Sequence, residues 1–271
     1  MSMTKDSWLA ALADQATQFR AAVAPPIVDS KEGAANTAAA VNLQGIAHTL
    51  LRPVPSCPGW NVHDLICHLG NAYQRMMGHL ERAGTPPTNK GDLPAPAGDA
   101  VLGWWDERLA TLQQALGDTD SDAPAWNPFH APPTAAFFHR RAAHETAVHR
   151  WDAQLSVSLP DPIDPPEFAA DGVHEALDLV ASDITIIDQI RVTGVARLVA
   201  TDIDAHWVIR IRENGVTLLD TNGWFDTEPE IAASAEATAS DLLLLLWGRV
   251  PISVTDSRGE TLLIEQLRVR R

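Results

Sequence analysis

The chain has 271 residues, of which 45% are apolar, and a mean hydropathy of −0.09, as expected for a globular protein long enough for two domains. Its net charge of −15 argues against nucleic-acid and anionic-membrane partners, because binding to phosphates requires clustered Lys and Arg. The N-terminus has no apolar run of the signal-peptide type and the leucine-rich residues 241–247 are too short to span a bilayer, so we expect a cytoplasmic protein.

Helical spacing of apolar residues characterises the first half of the chain. The first predicted helix covers about residues 8–23, and the Ala-rich residues 35–51 are predicted to be helical too. Asn61 is the predicted N-cap of the next helix, with Asp64 in its first turn. The segments that follow are a Pro- and Gly-rich loop at 84–98, a helix over 101–116, a Pro-rich loop at 123–133 and a helix that contains Glu145. This half therefore predicts a helical bundle, a fold in which sites are built from facing helices.

The two cysteines, Cys57 and Cys67, lie close to the start of the helix that Asn61 begins. Cys57 precedes a Pro-Gly turn and Cys67 lies within the helix that Asn61 begins, and this spacing matches neither a zinc knuckle nor a disulfide scaffold. Neither thiol has a cationic neighbour in sequence that would favour the thiolate. We therefore expect neither cysteine to be a nucleophile.

The second half of the chain predicts an α+β domain. A helix is predicted over about residues 167–182, and two alternating runs flank a Glu-Asn-Gly turn at 213–215, which is a strong hairpin signal. Ser240 or Asp241 is the predicted cap of a short helix, and the runs I-S-V and L-L-I-E-Q-L are predicted strands on either side of residues 257–259. These patterns together favour an antiparallel sheet.

The segment R-R-A-A-H-E-T-A-V-H-R-W-D places four ionisable side chains on one helix face. Residues four apart on a helix differ by about 40°, so Arg141, Glu145, His149 and Asp152 form a row. Ionisable groups edged by apolar residues are costly to bury unless they are paired or hold a metal. The row predicts the wall of a polar site, and the alternative is a solvated ladder of ion pairs without a function.

A zinc-protease motif does not fit this helix. His144 and His149 are five residues apart, about 140° around the helix, so one ion could not reach both. Glu145 and His149 can share an ion, but tetrahedral zinc usually takes three protein ligands at a catalytic site. The earlier helix offers three candidates for the third ligand, and the helical wheel does not choose among them; they are His63, His68 and His79.

Three sequence blocks resemble the mycothiol-dependent maleylpyruvate isomerase family. They are P-S-C-P-G-W-N-V-H-D-L-I-C-H-L-G, H-E-T-A-V-H-R-W-D-A-Q and D-L-L-L-L-L-W-G-R, in family order. The resemblance implies a DinB-like four-helix bundle over residues 1–158 and a smaller, sterol-carrier-like α+β domain over 167–271. It also implies that His68, Glu145 and His149 are the metal ligands.

The resemblance further implies a mycothiol-dependent metalloenzyme. Zinc, or another divalent metal, suits a His/Glu/His set with an open position, where it would hold a small-molecule thiol as the thiolate. The expected reactions are cis-trans isomerisation of maleylpyruvate or a related compound, and transfer of the thiol to an electrophile. A dicarboxylate acceptor would be bound by arginines.

Three further residues are predicted to take part in catalysis. Arg249 matches an arginine that the family uses in its pocket, although it could instead only cap the helix ending near Trp247. Arg141 lies on the predicted metal-binding helix, and Asp152 could orient a histidine ligand or be a surface charge. A hypothesis of another class is a metal-stabilised binding or regulatory protein without turnover. The sequence does not identify the acceptor or the oligomeric state, and it assigns no role to the N-terminal segment up to about Pro53, which is longer than the lead-in usual in the family.

Overall fold

The computed structural model describes residues 3–24, 45–86, 92, 94–129, 131–219 and 230–269. The chain divides into two compact units. The helical unit comprises Thr4–Asn127 and Pro132–Asp161, and the second unit consists mainly of Pro162–Arg271. No helix among the described residues is long and apolar enough to cross a membrane.

The helical unit is a bundle, as the periodicity predicted. Its helices are α1 (Lys5–Val23), α2 (residues 45–50), α3 (Val62–Glu81), α4 (Ala100–Asp118) and α5 (Ala135–Val157). Helix α5 packs against both α1 and α3, and α3 also packs against α4. The predicted helix over 35–51 is confirmed for its last part, whereas residues 35–44 lie outside the described residues.

Large apolar side chains fill the interior of this bundle. Phe19 of α1 and Tyr73 of α3 both lie against Trp105 of α4, and all three are almost completely buried. Arg150 of α5 is buried as well, and its guanidinium donates to Gln15 and to the Gln154 side chain. Because α5 is enclosed by its neighbours, it has buried residues on every side rather than on one stripe.

The start of α3 follows from local hydrogen bonding. The Asn61 side chain accepts from the Asp64 N–H, and the Asp64 carboxylate accepts from the Asn61 N–H, so the predicted cap is confirmed as a capping box. Pro53 forms an isolated antiparallel bridge with Asn61, which closes the loop that precedes the helix. Gly59 within this loop has φ +85°, a left-handed conformation that favours glycine.

In the described part of the second unit, five strands form one sheet in the order β3-β2-β1-β4-β5. Its strands are β1 (Gly194–Ala200), β2 (His206–Arg212), β3 (Gly215–Leu219), β4 (Ala233–Ala237) and β5 (Asp256–Gly259). Its helices are α6 (Pro166–Ser182), α7 (Ala239–Leu246) and α8 (Leu262–Glu265), with 3₁₀ turns at Ile184–Gln189 and Ile252–Val254. The fold class expected from the sequence, a helical bundle followed by a small α+β domain, is confirmed.

Several details of this unit differ from the prediction. The hairpin is confirmed, with Arg212 paired to Gly215, but β1 pairs with β4 in parallel and the sheet is therefore mixed rather than antiparallel. The predicted strands I-S-V and L-L-I-E-Q-L are a 3₁₀ turn and helix α8. The strand that does form in this region, β5, lies at one edge of the sheet and is polar and largely exposed, so it lacked the apolar signal of a strand. Thr238, not Ser240 or Asp241, caps α7.

Candidate metal centre

Helix α5 carries its row of ionisable side chains into the interior of the helical unit. Arg141 and His149 are each 4% exposed and Asp152 is fully buried. The alternative of a solvated ladder is therefore wrong, and so is the interpretation of Asp152 as a surface charge. Buried groups of this kind require partners, which each of them has.

His68 of α3 faces Glu145 and His149 of α5. The His68 Nε2 atom lies 3.2 Å from Glu145 Oε1, and His149 Nε2 lies 3.4 Å from the same oxygen. One ligand atom from each of the three residues lies within 4.8 Å of the other two. Two imidazole nitrogens and one carboxylate oxygen form a donor set that suits zinc and related divalent metals. The packing of α3 on α5 thus selects His68 from the three histidines that the helical wheel left open.

The other histidines of the unit occupy different surroundings. The His63 Nε2 atom lies 3.1 Å from the Pro96 carbonyl oxygen. His79 is stacked on Phe138, with ring centroids 5.5 Å apart. His144 is buried elsewhere on α5, and it is not part of the set of ligand atoms that converge among the described residues.

Arg141 and Asp152 set the electrostatics of this cluster from opposite ends. Burial opposes ionisation of Glu145, but the Arg141 guanidinium and the two histidines outweigh it and hold the pKa of Glu145 well below its ordinary value. Burial also lowers the pKa of His149, but its hydrogen bonds to Asp152 and Glu145 outweigh that effect and raise the pKa. The two carboxylates therefore stabilise positive charge between them, which is the electrostatic requirement of a cation site.

Asp152 is bound to the remaining ring nitrogen of His149. Its Oδ2 atom lies 2.8 Å from His149 Nδ1. Because a carboxylate oxygen carries no proton, Nδ1 is the donor in this bond, and the neutral ring then has its lone pair on Nε2, the atom that faces Glu145. This is the arrangement by which an outer carboxylate fixes the tautomer of a histidine that binds a metal.

The loop before α3 contributes contacts that the sequence did not reveal. The Ser56 hydroxyl donates to Asp152 Oδ1 at 2.5 Å, and the Cys57 thiol donates to Asp152 Oδ2 at 3.6 Å. The Trp60 ring packs on the imidazole of His68, with centroids 4.8 Å apart. The sequence showed a compact P-S-C-P-G-W turn, but the partner of Ser56 and Cys57 is Asp152, which lies on a helix more than 90 residues later.

Exposure differs among the three candidate ligands. The His68 side chain is 31% exposed, compared with 15% for Glu145 and 5% for His149. The side of the cluster at His68, next to Trp60, is therefore the one most exposed to solvent. The interior side is occupied by the Arg141 and Asp152 contacts.

Arg249 belongs to the second unit of the chain. Its guanidinium donates to the Trp247 carbonyl oxygen at 2.8 Å, directly after the end of α7. That hydrogen bond is what the capping alternative predicted. A contribution of Arg249 to substrate binding stays a prediction.

Comparison with known proteins assigns most of the helical unit to a domain family. Residues 31–154 match the family model of the mycothiol maleylpyruvate isomerase N-terminal domain. This segment belongs to that domain family. It contains all three candidate ligands, together with Arg141 and Asp152. No curated protein matches the chain.

Two solved structures have a fold similar to that of the whole chain. One is the crystal structure of the mycothiol-dependent maleylpyruvate isomerase, with a TM-score of 0.59 and 10% identity over 94% of this chain and 93% of that chain. The other is the crystal structure of a mutant of the mycothiol-dependent maleylpyruvate isomerase, with a TM-score of 0.61 and 11% identity over the same shares. At this level of identity the likeness concerns the fold alone, and it extends beyond the mycothiol maleylpyruvate isomerase N-terminal domain to the second unit.

Proposed function

We propose that this protein is a mycothiol-dependent isomerase of the maleylpyruvate type, with zinc or another divalent metal bound by His68, Glu145 and His149. The observation that carries the proposal is the convergence of these three ligand atoms within 4.8 Å, inside a mycothiol maleylpyruvate isomerase N-terminal domain. The domain family supports the thiol dependence. The donor set supports the metal.

Among the described residues three ligand side chains converge, which fits a catalytic rather than a closed metal site. Catalytic zinc keeps three protein ligands and one open position, whereas structural zinc has four protein ligands. A metal bound here would supply positive charge that favours the thiolate form of a coordinated thiol, which is otherwise mostly protonated at neutral pH. The partial exposure of His68 leaves a route by which a small thiol could enter.

Each surrounding residue has a defined task in this proposal. Arg141 compensates the Glu145 charge and fixes its carboxylate from the interior side. Asp152 holds the proton on His149 Nδ1, so that Nε2 is free to donate its lone pair. Trp60 packs on one side of the His68 ring and restricts its orientation. Arg249 is proposed to bind a carboxylate of the substrate, since a guanidinium makes a planar, two-pronged contact with such groups.

The reaction is a reversible addition. The mycothiol thiolate sulfur bonds to one carbon of a cis double bond conjugated to a carbonyl, and the alkene electron pair moves onto the carbonyl oxygen as an enolate. The former double bond, now single, rotates. The enolate then re-forms the carbonyl and the alkene in the trans geometry as the carbon–sulfur bond breaks, and the thiolate is regenerated without net consumption.

The experiment that tests this proposal is an assay of maleylpyruvate isomerisation with purified, zinc-loaded protein. We expect the trans isomer to form only when mycothiol is present, and the rate to fall when a chelator removes the metal. A product that retains the thiol would indicate S-transfer instead of isomerisation. A folded, metal-loaded protein that turns over no substrate with mycothiol would contradict the proposal and favour a binding or regulatory role.

A further inference from the structure

We propose that the Ser56 hydroxyl is a positioning group of the metal centre, which acts through Asp152 on the tautomer of His149. The inference rests on the proposed function, because it assigns a task to a residue outside the three candidate ligands. Ser56 Oγ lies 2.5 Å from Asp152 Oδ1, a short distance for a hydroxyl–carboxylate hydrogen bond. Ser56 therefore belongs to the same hydrogen-bonded chain as His149.

The Asp152 carboxylate is held at both oxygens. Oδ1 accepts from Ser56, and Oδ2 accepts from His149 Nδ1 at 2.8 Å and from the Cys57 thiol at 3.6 Å. Rotation of the carboxylate about its terminal bond, which is otherwise soft, would break the Ser56 and His149 bonds together. The side chain is fully buried, so water does not readily replace a lost partner. Ser56 thus restricts a rotation of the carboxylate that would release the His149 proton.

The loop that carries Ser56 is fixed by its own backbone. The Cys57 N–H donates to the Val54 carbonyl at 2.9 Å, the Trp60 N–H donates to the Cys57 carbonyl at 3.0 Å, and the Val54 N–H donates to the Trp60 carbonyl at 2.9 Å. Gly59 provides the left-handed residue that this turn requires. A hydroxyl presented by such a loop is placed before the metal binds, which is what a positioning group needs.

The same loop also reaches the other histidine. Trp60 packs on the imidazole of His68, while Ser56 and Cys57 contact the carboxylate behind His149. Both histidine ligands of the candidate site are therefore supported from one short segment. The capping box at Asn61 and Asp64 anchors the end of this segment to α3.

Loss of the Ser56 hydroxyl should weaken metal binding without removing a ligand. Outer partners of metal-binding histidines typically contribute about 10- to 100-fold to metal affinity. Ser56 acts one hydrogen bond further out than such a partner, so for Ser56→Ala we expect a smaller loss of zinc affinity, about three- to tenfold. Ser56→Thr keeps the hydroxyl and should restore the affinity.

The test compares Ser56→Ala and Ser56→Thr with the matched control Ser156→Ala. Ser156 also donates to Asp152, but to its backbone carbonyl, at 3.1 Å, so its loss leaves the carboxylate untouched. Zinc affinity is measured by competition with a chelator. In parallel, ¹⁵N NMR of the metal-free proteins at alkaline pH, where the imidazole is neutral, reports the tautomer of His149.

We expect Ser56→Ala alone to weaken zinc binding and to populate the Nε2–H tautomer of His149, with Ser56→Thr and Ser156→Ala like the parent. An unchanged tautomer and affinity in folded Ser56→Ala would overturn the inference, as would equal effects in Ser156→Ala. The NMR measurement requires no metal, so it still decides the inference if the parent protein binds no zinc and the proposed function itself fails. If Ser56→Ala does not fold, Ser56→Thr provides the test. A folded Ser56→Thr variant that does not retain the parent tautomer of His149 would also overturn the inference.

Discussion

Arg141 and Glu145 lie one helical turn apart on α5 and form an ion pair in which Nη2 and Oε2 are 2.5 Å apart. Both side chains are largely buried, with 5% and 15% of their surfaces exposed. The pair explains how a carboxylate stays ionised in the interior, next to two imidazoles. In the proposed site, Arg141 leaves Oε1 of Glu145 facing His68 and His149 while it binds Oε2.

Replacement of Arg141 by Met should destabilise the metal-free protein more than the zinc-loaded protein. Removal of one partner leaves an uncompensated buried charge, which costs about 3 kcal/mol of unfolding free energy. Bound zinc would compensate that charge in part. The free energy of unfolding, measured with urea in both states, checks the difference.

The control for this prediction is Arg75→Met, which makes the same substitution in the exposed ion pair of Arg75 with Asp92. An exposed pair contributes less than about 1 kcal/mol, and we expect the same small loss with and without zinc. Equal destabilisation of both metal states by Arg141→Met would show that the arginine does not balance a charge at the metal centre.

His68→Ala should remove stoichiometric zinc from the protein, whereas His79→Phe should not. Loss of a direct ligand is expected to reduce affinity by more than the roughly 10- to 100-fold that loss of an outer partner costs. His79→Phe preserves the stacked contact with Phe138 and lies outside the cluster. Metal content after dialysis against a defined zinc buffer checks both variants, and zinc retained by His68→Ala would exclude His68 as a ligand.

Cys67→Ser should leave thiol-dependent turnover within a few-fold of the parent. Burial, and to a lesser degree the nearby Asp64 carboxylate, raise the pKa of the Cys67 thiol, which therefore stays protonated at neutral pH. Its sulfur lies 3.5 Å from His63 Nδ1 rather than in the candidate site. Abolished turnover in a folded, zinc-loaded variant would mean that the protein supplies the nucleophile itself.

Arg249→Lys distinguishes substrate binding from helix capping. If Arg249 binds a substrate carboxylate, Lys loses the two-pronged contact, worth about 1.5 to 3 kcal/mol, and the rate falls by about one to two powers of ten. Zinc content should stay unchanged. If Arg249 only binds the Trp247 carbonyl, as the hydrogen bond seen in the structure would allow, Lys serves equally well and the rate on an anionic acceptor is unchanged.

Local patterns predicted the parts of this protein that depend on neighbouring residues. The Asn61 cap, the hairpin at residues 213–215 and the pairing of Glu145 with His149 each follow from spacings of four residues or fewer. The strand assignment of L-L-I-E-Q-L failed, although its apolar positions carried helical spacing: Leu263, Ile264 and Leu267 are the buried residues.

The features of the fold and of the candidate site that the sequence did not predict depend on contacts between distant segments of the chain. His63, His68 and His79 all lie at the margin of one apolar stripe, and only the rotation of α3 against α5 decides which of them meets Glu145. The contact of Ser56 with Asp152 joins residues 96 apart in sequence. No periodicity in the sequence encodes such a contact, so the role of the loop before α3 is visible only in the structure. The parallel pairing of β1 with β4 is a long-range feature of the same kind.

X-ray absorption at the zinc edge, with and without mycothiol, tests the central claim most directly. For the protein alone we predict a shell of nitrogen and oxygen at about 2.0 to 2.2 Å, with the outer scattering of two imidazoles. On addition of mycothiol a sulfur at about 2.3 Å should join this shell. A closed shell of four protein ligands that admits no sulfur would contradict the proposed catalytic site and would indicate a structural metal instead.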